Sequence, residues 1–202
     1  MSKDYAAVAS DEAVQKTKQA LEANGFKVQI VDTLDEARQA VLDMIPEGSE
    51  VFTATSVTLA EAGLTESLND SGKYVPVRDK IDAIPADNGV ERRRMGSAAD
   101  YTVGSVHAVT EDGQVLIASN SGSQLPGYVY GANNVIWVVG TQKLVKDLSE
   151  GMDRLETHTL PLEDERAQKA YRAGSVISKL LIYRKDPPGR VTVVLVRQSV
   201  GY

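Results

Sequence analysis

The chain has 202 residues, of which 42% are hydrophobic and 25% are charged, a balance typical of a folded protein and not of a disordered one. A formal net charge of −6 disfavours nonspecific binding to nucleic acid or to an anionic membrane, because both expose negative phosphates. The absence of cysteine excludes disulfides, a catalytic cysteine and iron–sulfur clusters or zinc held by thiolates of this chain.

The sequence shows no signal peptide and no apolar run of the roughly 18 residues that a membrane-spanning helix needs. We therefore expect a cytoplasmic protein that does not insert into membranes. The two histidines, His107 and His158, are far apart in the sequence. No metal site and no cofactor are predicted from these residues.

The first predicted elements are a helix, a strand and a second helix. Ser10 is a candidate N-cap of the first helix, and Gly25 is placed to end it. Alternating apolar residues predict a strand over 26–31. Thr33 and Glu36 match a capping box at the start of the second helix.

A short strand is predicted over 51–55, followed at once by another capping-box match between Thr58 and Glu61. Gly63 is expected to divide the helical segment that follows into two parts. A further strand is predicted over 74–77. The alternation of strands with helices favours a mainly parallel sheet.

The middle of the chain is less regular. Residues 78–99 are compatible with helix, loop or lid, and a helix is predicted over 90–97. Two strands are predicted over 101–106 and 114–118, with a turn at Thr110-Glu111-Asp112-Gly113 because Asp-Gly favours tight turns.

The last third contains the most apolar run of the chain. Residues 135–139 are continuously apolar, which is typical of a strand buried on both faces. Strands over 179–184 and 191–196, separated by Asp186-Pro187-Pro188-Gly189, predict a C-terminal β-hairpin. Helices are predicted over 144–156 and 162–173. Together the elements predict one α/β domain over 1–202, with a mixed, mainly parallel sheet flanked by helices.

Ligands of open α/β sheets bind beyond the carboxyl ends of the strands, so the segments after predicted strands are candidate binding residues. Ser56 and Thr58 could bind an anion at a helix start, or Thr58 could serve only as an N-cap. Lys143 follows Gly140 at the end of the apolar strand and could extend over the strand ends, or lie on the surface.

Two further segments have the same ambiguity. Glu111 is a candidate general base or nucleophile beside Gly113, or part of a solvated turn. The small polar residues that follow the next strand could form a backbone nest for a phosphate or carboxylate, or a surface loop. These residues are Ser119, Asn120, Ser121, Gly122 and Ser123.

Four ordered segments together resemble the LUD-domain family, which is named from lactate-utilisation proteins B and C. The similarity spans roughly residues 10–202, and within the family the chain resembles the C type. The segments that carry it are Ser-Val-Thr-Leu-Ala-Glu-Ala-Gly-Leu at 56–64, Ala-Asp-Tyr-Thr-Val-Gly at 99–104 with Thr-Glu-Asp-Gly-Gln-Val at 110–115, Val-Val-Gly-Thr-Gln-Lys-Leu-Val at 138–145, and Gly-Arg-Val-Thr-Val-Val-Leu-Val at 189–196 with Gly201.

The resemblance implies a Rossmann-like sheet of the kind shared with ribose-5-phosphate isomerase, glucosamine-6-phosphate deaminase and CoA transferases. It also implies a role in oxidation of lactate or a similar 2-hydroxy acid. In that role the chain would be an accessory or ligand-binding component, with iron–sulfur lactate-utilisation subunits as possible partners and a small carboxylate or phosphate as ligand. The candidate contacts are Ser56, Thr58, Glu61, Glu111, Ser121, Ser123 and Lys143.

Two alternatives stay open at this point. The chain could be a stand-alone enzyme acting on a sugar-phosphate, folate or CoA-linked substrate, with Glu111 as base or nucleophile. It could also be a non-catalytic interaction module. The sequence does not decide whether the protein forms a homo-oligomer.

Overall fold

The structure, a computed structural model, describes residues 3–202. Eight α-helices lie in this range: α1 Asp11–Ala23, α2 Leu34–Met44, α3 Val57–Glu61, α4 Leu64–Asn69, α5 Val77–Asp82, α6 Gly89–Met95, α7 Leu148–Arg154 and α8 Leu160–Tyr171. Ten strands accompany them: β1 Lys27–Val31, β2 Glu50–Thr53, β3 Val75–Pro76, β4 Ala99–Gly104, β5 Ala108–Thr110, β6 Val115–Ser119, β7 Ala132–Gly140, β8 Leu144–Val145, β9 Lys179–Tyr183 and β10 Val191–Val196. No helix of residues 3–202 is long and apolar enough to span a membrane.

The main sheet has six strands in the order β1-β10-β7-β4-β2-β3, and every pairing in it is parallel. The prediction of an α/β protein with a mainly parallel sheet is therefore confirmed. Strand β7 lies near the centre, and its apolar run 135–139 is buried as the sequence predicts. A parallel strand needs cover on both faces, which explains why this run does not alternate with polar residues.

Two different layers cover the main sheet. On one face, α2, α3 and α4 contribute Val41, Leu59 and Leu64 to an apolar cluster with β7 and β10. On the other face, Leu21 of α1 and Ile117 of β6 pack against β7 and β10. This second layer contains a four-stranded sheet in the order β8-β5-β6-β9.

The turn at 110–113 is a hairpin turn, as predicted, and it connects the antiparallel strands β5 and β6. The predicted strand over 101–106 is too long at its end, because β4 stops at Gly104 and the chain then crosses into the second sheet. The segment 114–118 corresponds to β6. The antiparallel pairings expected from the sequence are therefore in the second sheet.

The predicted C-terminal β-hairpin does not form. Strand β9 pairs with β6 in the second sheet, whereas β10 lies between β1 and β7 in the main sheet. The turn residues 186–189 therefore connect the two sheets instead of two neighbouring strands. Turn chemistry fixes a local change of direction, while the partner of each strand depends on distant residues.

The starts of the first two helices follow the sequence, whereas that of α3 does not. Ser10 caps α1, and Thr33 forms a complete capping box with Glu36. The second capping-box prediction is wrong, because Ser56 is the N-cap of α3 and Thr58 lies inside the helix. Gly63 separates α3 from α4, as predicted, with a left-handed φ of 67°.

The remaining helical predictions differ at their ends. Segment 90–97 corresponds to α6, and only Val75–Pro76 of the predicted strand 74–77 is extended. The predicted helix 144–156 begins late, since its first two residues form β8 beside β5. A π-helical turn at Leu155–Thr159 connects α7 to α8.

Candidate ligand-binding cleft

A cleft of about 770 Å³ opens at the carboxyl ends of β2, β4 and β7. These strands are neighbours in the main sheet, so the segments that follow them converge there. The volume lies within the usual range of small-molecule sites. The cleft is lined by residues 53–58 at and after the end of β2, 105–107 after β4, Lys143 after β7, the end of β6 with the loop that follows it, one side of α8 with the loop that follows it, and Tyr202.

Lys143 is the most unusual group of this cleft. It ends a short 3-10 turn directly after β7 and is only 1% exposed. Its Nζ donates to Thr58 Oγ1 at 2.9 Å and to Ser105 Oγ at 3.1 Å. No carboxylate of residues 3–202 lies within ion-pair distance of this amine.

Burial without an anionic partner lowers the pKa of Lys143 to about 7, and the nearby charge of Arg154 acts in the same direction. Glu61 opposes this effect by favouring the charged amine. The amine therefore titrates near neutral pH, unlike an exposed lysine. Such a group can accept an anion in its charged form or act as a nucleophile in its neutral form.

Arg154 is a second buried cation close to the cleft. It is fully buried, and its Nη1 donates to the His107 carbonyl and to Thr159 Oγ1, both at 2.8 Å. Its Nε and Nη2 have no hydrogen-bond partner within the described part of the chain. Its guanidinium lies 5.9 Å from the centre of the Tyr5 ring, and this cation–π contact partly replaces the missing hydrogen bonds.

His107 lines the cleft as a neutral ring. Burial lowers its pKa to about 3, helped by the charges of Lys143 and Arg154. Its Nδ1 accepts a hydrogen bond from the backbone N–H of Ala118 at 3.1 Å. Since Nδ1 is an acceptor, Nε2 bears the hydrogen of the neutral imidazole and is available as a donor.

Thr58 connects the cleft to the segment 200–202. Its hydroxyl lies 3.4 Å from the Val200 carbonyl, to which it donates. Gly201 has a left-handed φ of 56°, and a Cβ there would lie only 2.3 Å from Thr58 Oγ1. Gln142 holds the same segment by donating from Nε2 to the Val200 carbonyl at 2.8 Å. These contacts keep Tyr202 at the edge of the cleft.

Glu163 is a carboxylate of α8 that lines the cleft, but it is already bound. Arg166 donates to it through two nitrogens at 2.7 Å, and the Tyr202 hydroxyl donates at 2.6 Å. Burial would raise the pKa of Glu163, yet these hydrogen bonds outweigh it and the pKa is lowered. Arg78 also lines the cleft, and its Nε donates to the Thr53 carbonyl at 2.8 Å.

The loop after β6 lines the cleft with four of its five predicted residues. Ser119, Asn120, Ser121 and Ser123 are exposed to the cleft, whereas Gly122 is not. The Ser119 hydroxyl accepts from the Gly122 N–H at 2.8 Å, and Ser121 donates to Ser123 at 3.2 Å. Several hydroxyls of the loop are thus engaged within the loop itself.

The structure brings Ser56, Thr58 and Lys143 into the cleft but, besides Gly122, leaves four predicted residues outside it. Glu111 lies in the β5–β6 turn and forms an ion pair with Lys16 of α1 at 2.6 Å. Gly113 packs in the same turn against the backbone of α1. Glu61 accepts a hydrogen bond from the Gly201 N–H at 2.9 Å, and Gly140 packs against Val200.

Sequence reasoning missed Ser105, Arg154 and Arg78. Ser105 is a single small residue after β4, and its position after a strand is the one signal that could have found it. Arg154 lies in a helix with many charged neighbours, which is typical of a solvent-exposed position. For His107 the sequence argues against a metal site and favours a structural or surface role, without indicating a position in a cleft. Among residues 3–202, no three His, Cys, Asp or Glu side chains are grouped as a metal site would require.

The structure is that of an α/β protein with a cleft at the carboxyl ends of a parallel sheet. A sequence model of the LUD domain matches residues 14–196, and the chain belongs to this family. The structure is also similar to the crystal structure of a DUF162 family protein from Deinococcus radiodurans, with a TM-score of 0.57 and 12% sequence identity. The similarity covers 94% of this chain and 99% of that chain. No curated protein matches the sequence.

Proposed function

We propose that the cleft binds the anion of a small 2-hydroxy acid such as lactate, and that the protein is a ligand-binding component of lactate oxidation. The observation that carries this proposal is the buried Lys143 amine, which lines the cleft without a carboxylate partner. An unpaired buried charge is unfavourable, so a bound carboxylate would stabilise the charged amine. Arg78 lies in the same cleft and also lacks an ion-pair partner among the described residues.

The proposed role in lactate oxidation comes from family membership and the resemblance to lactate-utilisation proteins. The 202 residues contain no cysteine, so they hold no cysteine-ligated iron–sulfur cluster themselves. Glu111 is not part of this proposal, because it lies in a turn outside the cleft and is paired with Lys16. The contacts that we propose for the ligand are Lys143, Arg78, Ser105 and the hydroxyl of Ser56.

Isothermal titration with L-lactate and D-lactate tests this proposal. We expect binding by the wild-type protein and at least about a tenfold loss of affinity in Lys143→Met, since a hydrogen-bonded charge pair commonly contributes more than 1.4 kcal/mol. Lactamide, which has the same shape but no charge, should not bind. Equal affinity of the wild-type protein and Lys143→Met for lactate would show that the amine does not bind the carboxylate.

A larger phosphorylated ligand is a second candidate, and the volume of the cleft favours it. A space of about 770 Å³ exceeds the needs of lactate, and the hydroxyl-rich loop 119–123 borders the same space as Lys143. Ribose 5-phosphate is a suitable probe in the same titration. Binding of this compound but not of lactate would select the second candidate.

A further inference from the structure

We propose that Lys143 is a covalent nucleophile, whose amine attacks the keto carbon of a 2-oxo acid in the cleft and forms a Schiff base. This inference rests on the proposed function, because a 2-oxo acid is the oxidised counterpart of a 2-hydroxy acid. In the reaction a bond forms between Nζ and the keto carbon. The keto oxygen leaves as water with two hydrogens from the amine. No electrons are gained or lost, so no oxidant is needed.

The hydrogen bonds of Lys143 leave its lone pair usable. Thr58 donates its own hydrogen to the Val200 carbonyl, so its oxygen accepts from the amine at 2.9 Å. This contact fixes the direction of one N–H of Lys143. Ser105 Oγ lies 3.1 Å from Nζ on the side of β4 and is only half-buried within the cleft. A carbonyl carbon that enters from the cleft can therefore approach a positioned amine.

The charged groups around Lys143 keep a large fraction of the amine neutral. Arg154 from α7 disfavours its protonation, His107 after β4 is itself neutral, and Glu61 from α3 has the opposite effect. Desolvation next to another cation is the environment that activates lysines for Schiff-base formation. By contrast, Lys146 lies three residues further along the chain and is exposed.

Neighbouring groups are suited to bind the keto oxygen and the carboxylate of a 2-oxo acid. His107 lines the cleft, and its Nε2–H can donate a hydrogen bond to the departing oxygen. Arg78 is held by hydrogen bonds to the Thr53 carbonyl at 2.8 Å and to Thr55 Oγ1 at 2.9 Å. Its guanidinium is placed to bind the carboxylate when Lys143 is neutral.

Reductive trapping tests the inference. The full-length protein is incubated at pH 7.5 with pyruvate or glyoxylate and sodium cyanoborohydride, and the site of the adduct is determined by peptide mass spectrometry. We expect at least about tenfold more reduced adduct on Lys143 than on Lys146, because burial lowers the pKa of the Lys143 amine and a neutral amine is the nucleophile. Lactate should protect Lys143 by occupying the cleft.

Two variants serve as controls for the labelling. Lys143→Arg removes the nucleophile, so it should form no adduct in the cleft. Lys146→Arg should label like the wild-type protein. Lactate binding without preferential labelling of Lys143 would overturn the Schiff base and leave the proposed function intact. Should Lys143→Arg fail to fold, protection by lactate in the wild-type protein still decides the question.

Discussion

The two ends of β7 differ in whether the buried charged side chains nearby are paired with a group of opposite charge. At its amino end, Arg190 donates from Nη2 to Asp186 at 2.6 Å and to the Tyr128 carbonyl at 2.7 Å. The Asp186 side chain is 2% exposed and also accepts from the Tyr183 hydroxyl. Beyond its carboxyl end, Lys143 and Arg154 are buried without a carboxylate within ion-pair distance among residues 3–202.

We interpret this difference as a difference in role: the Asp186–Arg190 pair stabilises the fold, whereas the cations near the cleft serve the proposed ligand binding. The Asp186–Arg190 pair connects the segment between the two sheets to the start of β10, and its charges are satisfied inside the protein. The cations near the cleft are not balanced in this way. A buried charge that the protein leaves uncompensated is unfavourable unless a ligand supplies the counter-charge. The comparison therefore points to the carboxyl end of β7 as the functional end.

Removal of the Asp186 carboxylate should produce the largest effect. Asp186→Ala leaves Arg190 without its partner, and breaking a buried ion pair commonly costs about 3 kcal/mol or more. Urea unfolding followed by circular dichroism measures the free energy of unfolding. Asp82→Ala is the matched control, because its pair with Arg92 is exposed and should contribute less than about 1 kcal/mol. Equal losses in both variants would contradict the structural role.

Lys143→Met should have the opposite effect on stability. Replacing an uncompensated buried cation with an apolar side chain of similar length should stabilise the ligand-free protein by about 1 kcal/mol or more at pH 6. Thr58 keeps its hydrogen bond to Val200, so no buried hydroxyl is left without a partner. Destabilisation as large as that of Asp186→Ala would remove the contrast between the two ends of β7.

The pH dependence of stability sharpens the same contrast. The pKa of Lys143 is about 7 in the folded protein and near 10.5 in the unfolded chain, so the unfolded state binds more protons between these values. The free energy of unfolding should therefore rise with pH from 7 to 9 by up to about 1.4 kcal/mol per pH unit. Lys143→Met should lack this contribution, which the difference between the two urea titrations isolates. Parallel pH profiles would indicate an ordinary lysine pKa.

Glu111→Gln should have the smallest effect. Its carboxylate pairs with an exposed lysine in a turn outside the cleft, so neither lactate affinity nor the unfolding midpoint should change measurably. Calorimetric titration and thermal unfolding of this variant check both expectations. A loss of ligand binding would return Glu111 to the site that the sequence first indicated.

The sequence predicts those parts of the fold that depend on local patterns. The run 135–139 indicates a buried strand because it is continuously apolar, and Thr33 with Glu36 marks a helix start that the structure contains. The hairpin over 179–196 fails because the turn residues 186–189 say nothing about which strands pair. Pairing depends on packing between residues far apart in the chain.

The candidate site is partly visible in the sequence for the same reason. Ser56, Thr58 and Lys143 follow strands, and parallel strands bring such segments together at one edge. Arg154 has no comparable signal, because its burial results from the way α7 packs beside the second sheet. The low pKa of Lys143 could not be predicted either, since it depends on burial and on that arginine.

Titration of the lysine amines by NMR tests the central claim most directly. With ¹³C at the ε-carbon of lysine, each amine reports its own pKa, and Lys143→Met identifies the Lys143 signal. We expect this signal to titrate near pH 7 in the free protein, and at a higher pH with saturating lactate because the carboxylate favours the charged amine. A Lys143 signal that titrates near 10.5, or one that lactate does not shift, would contradict the account.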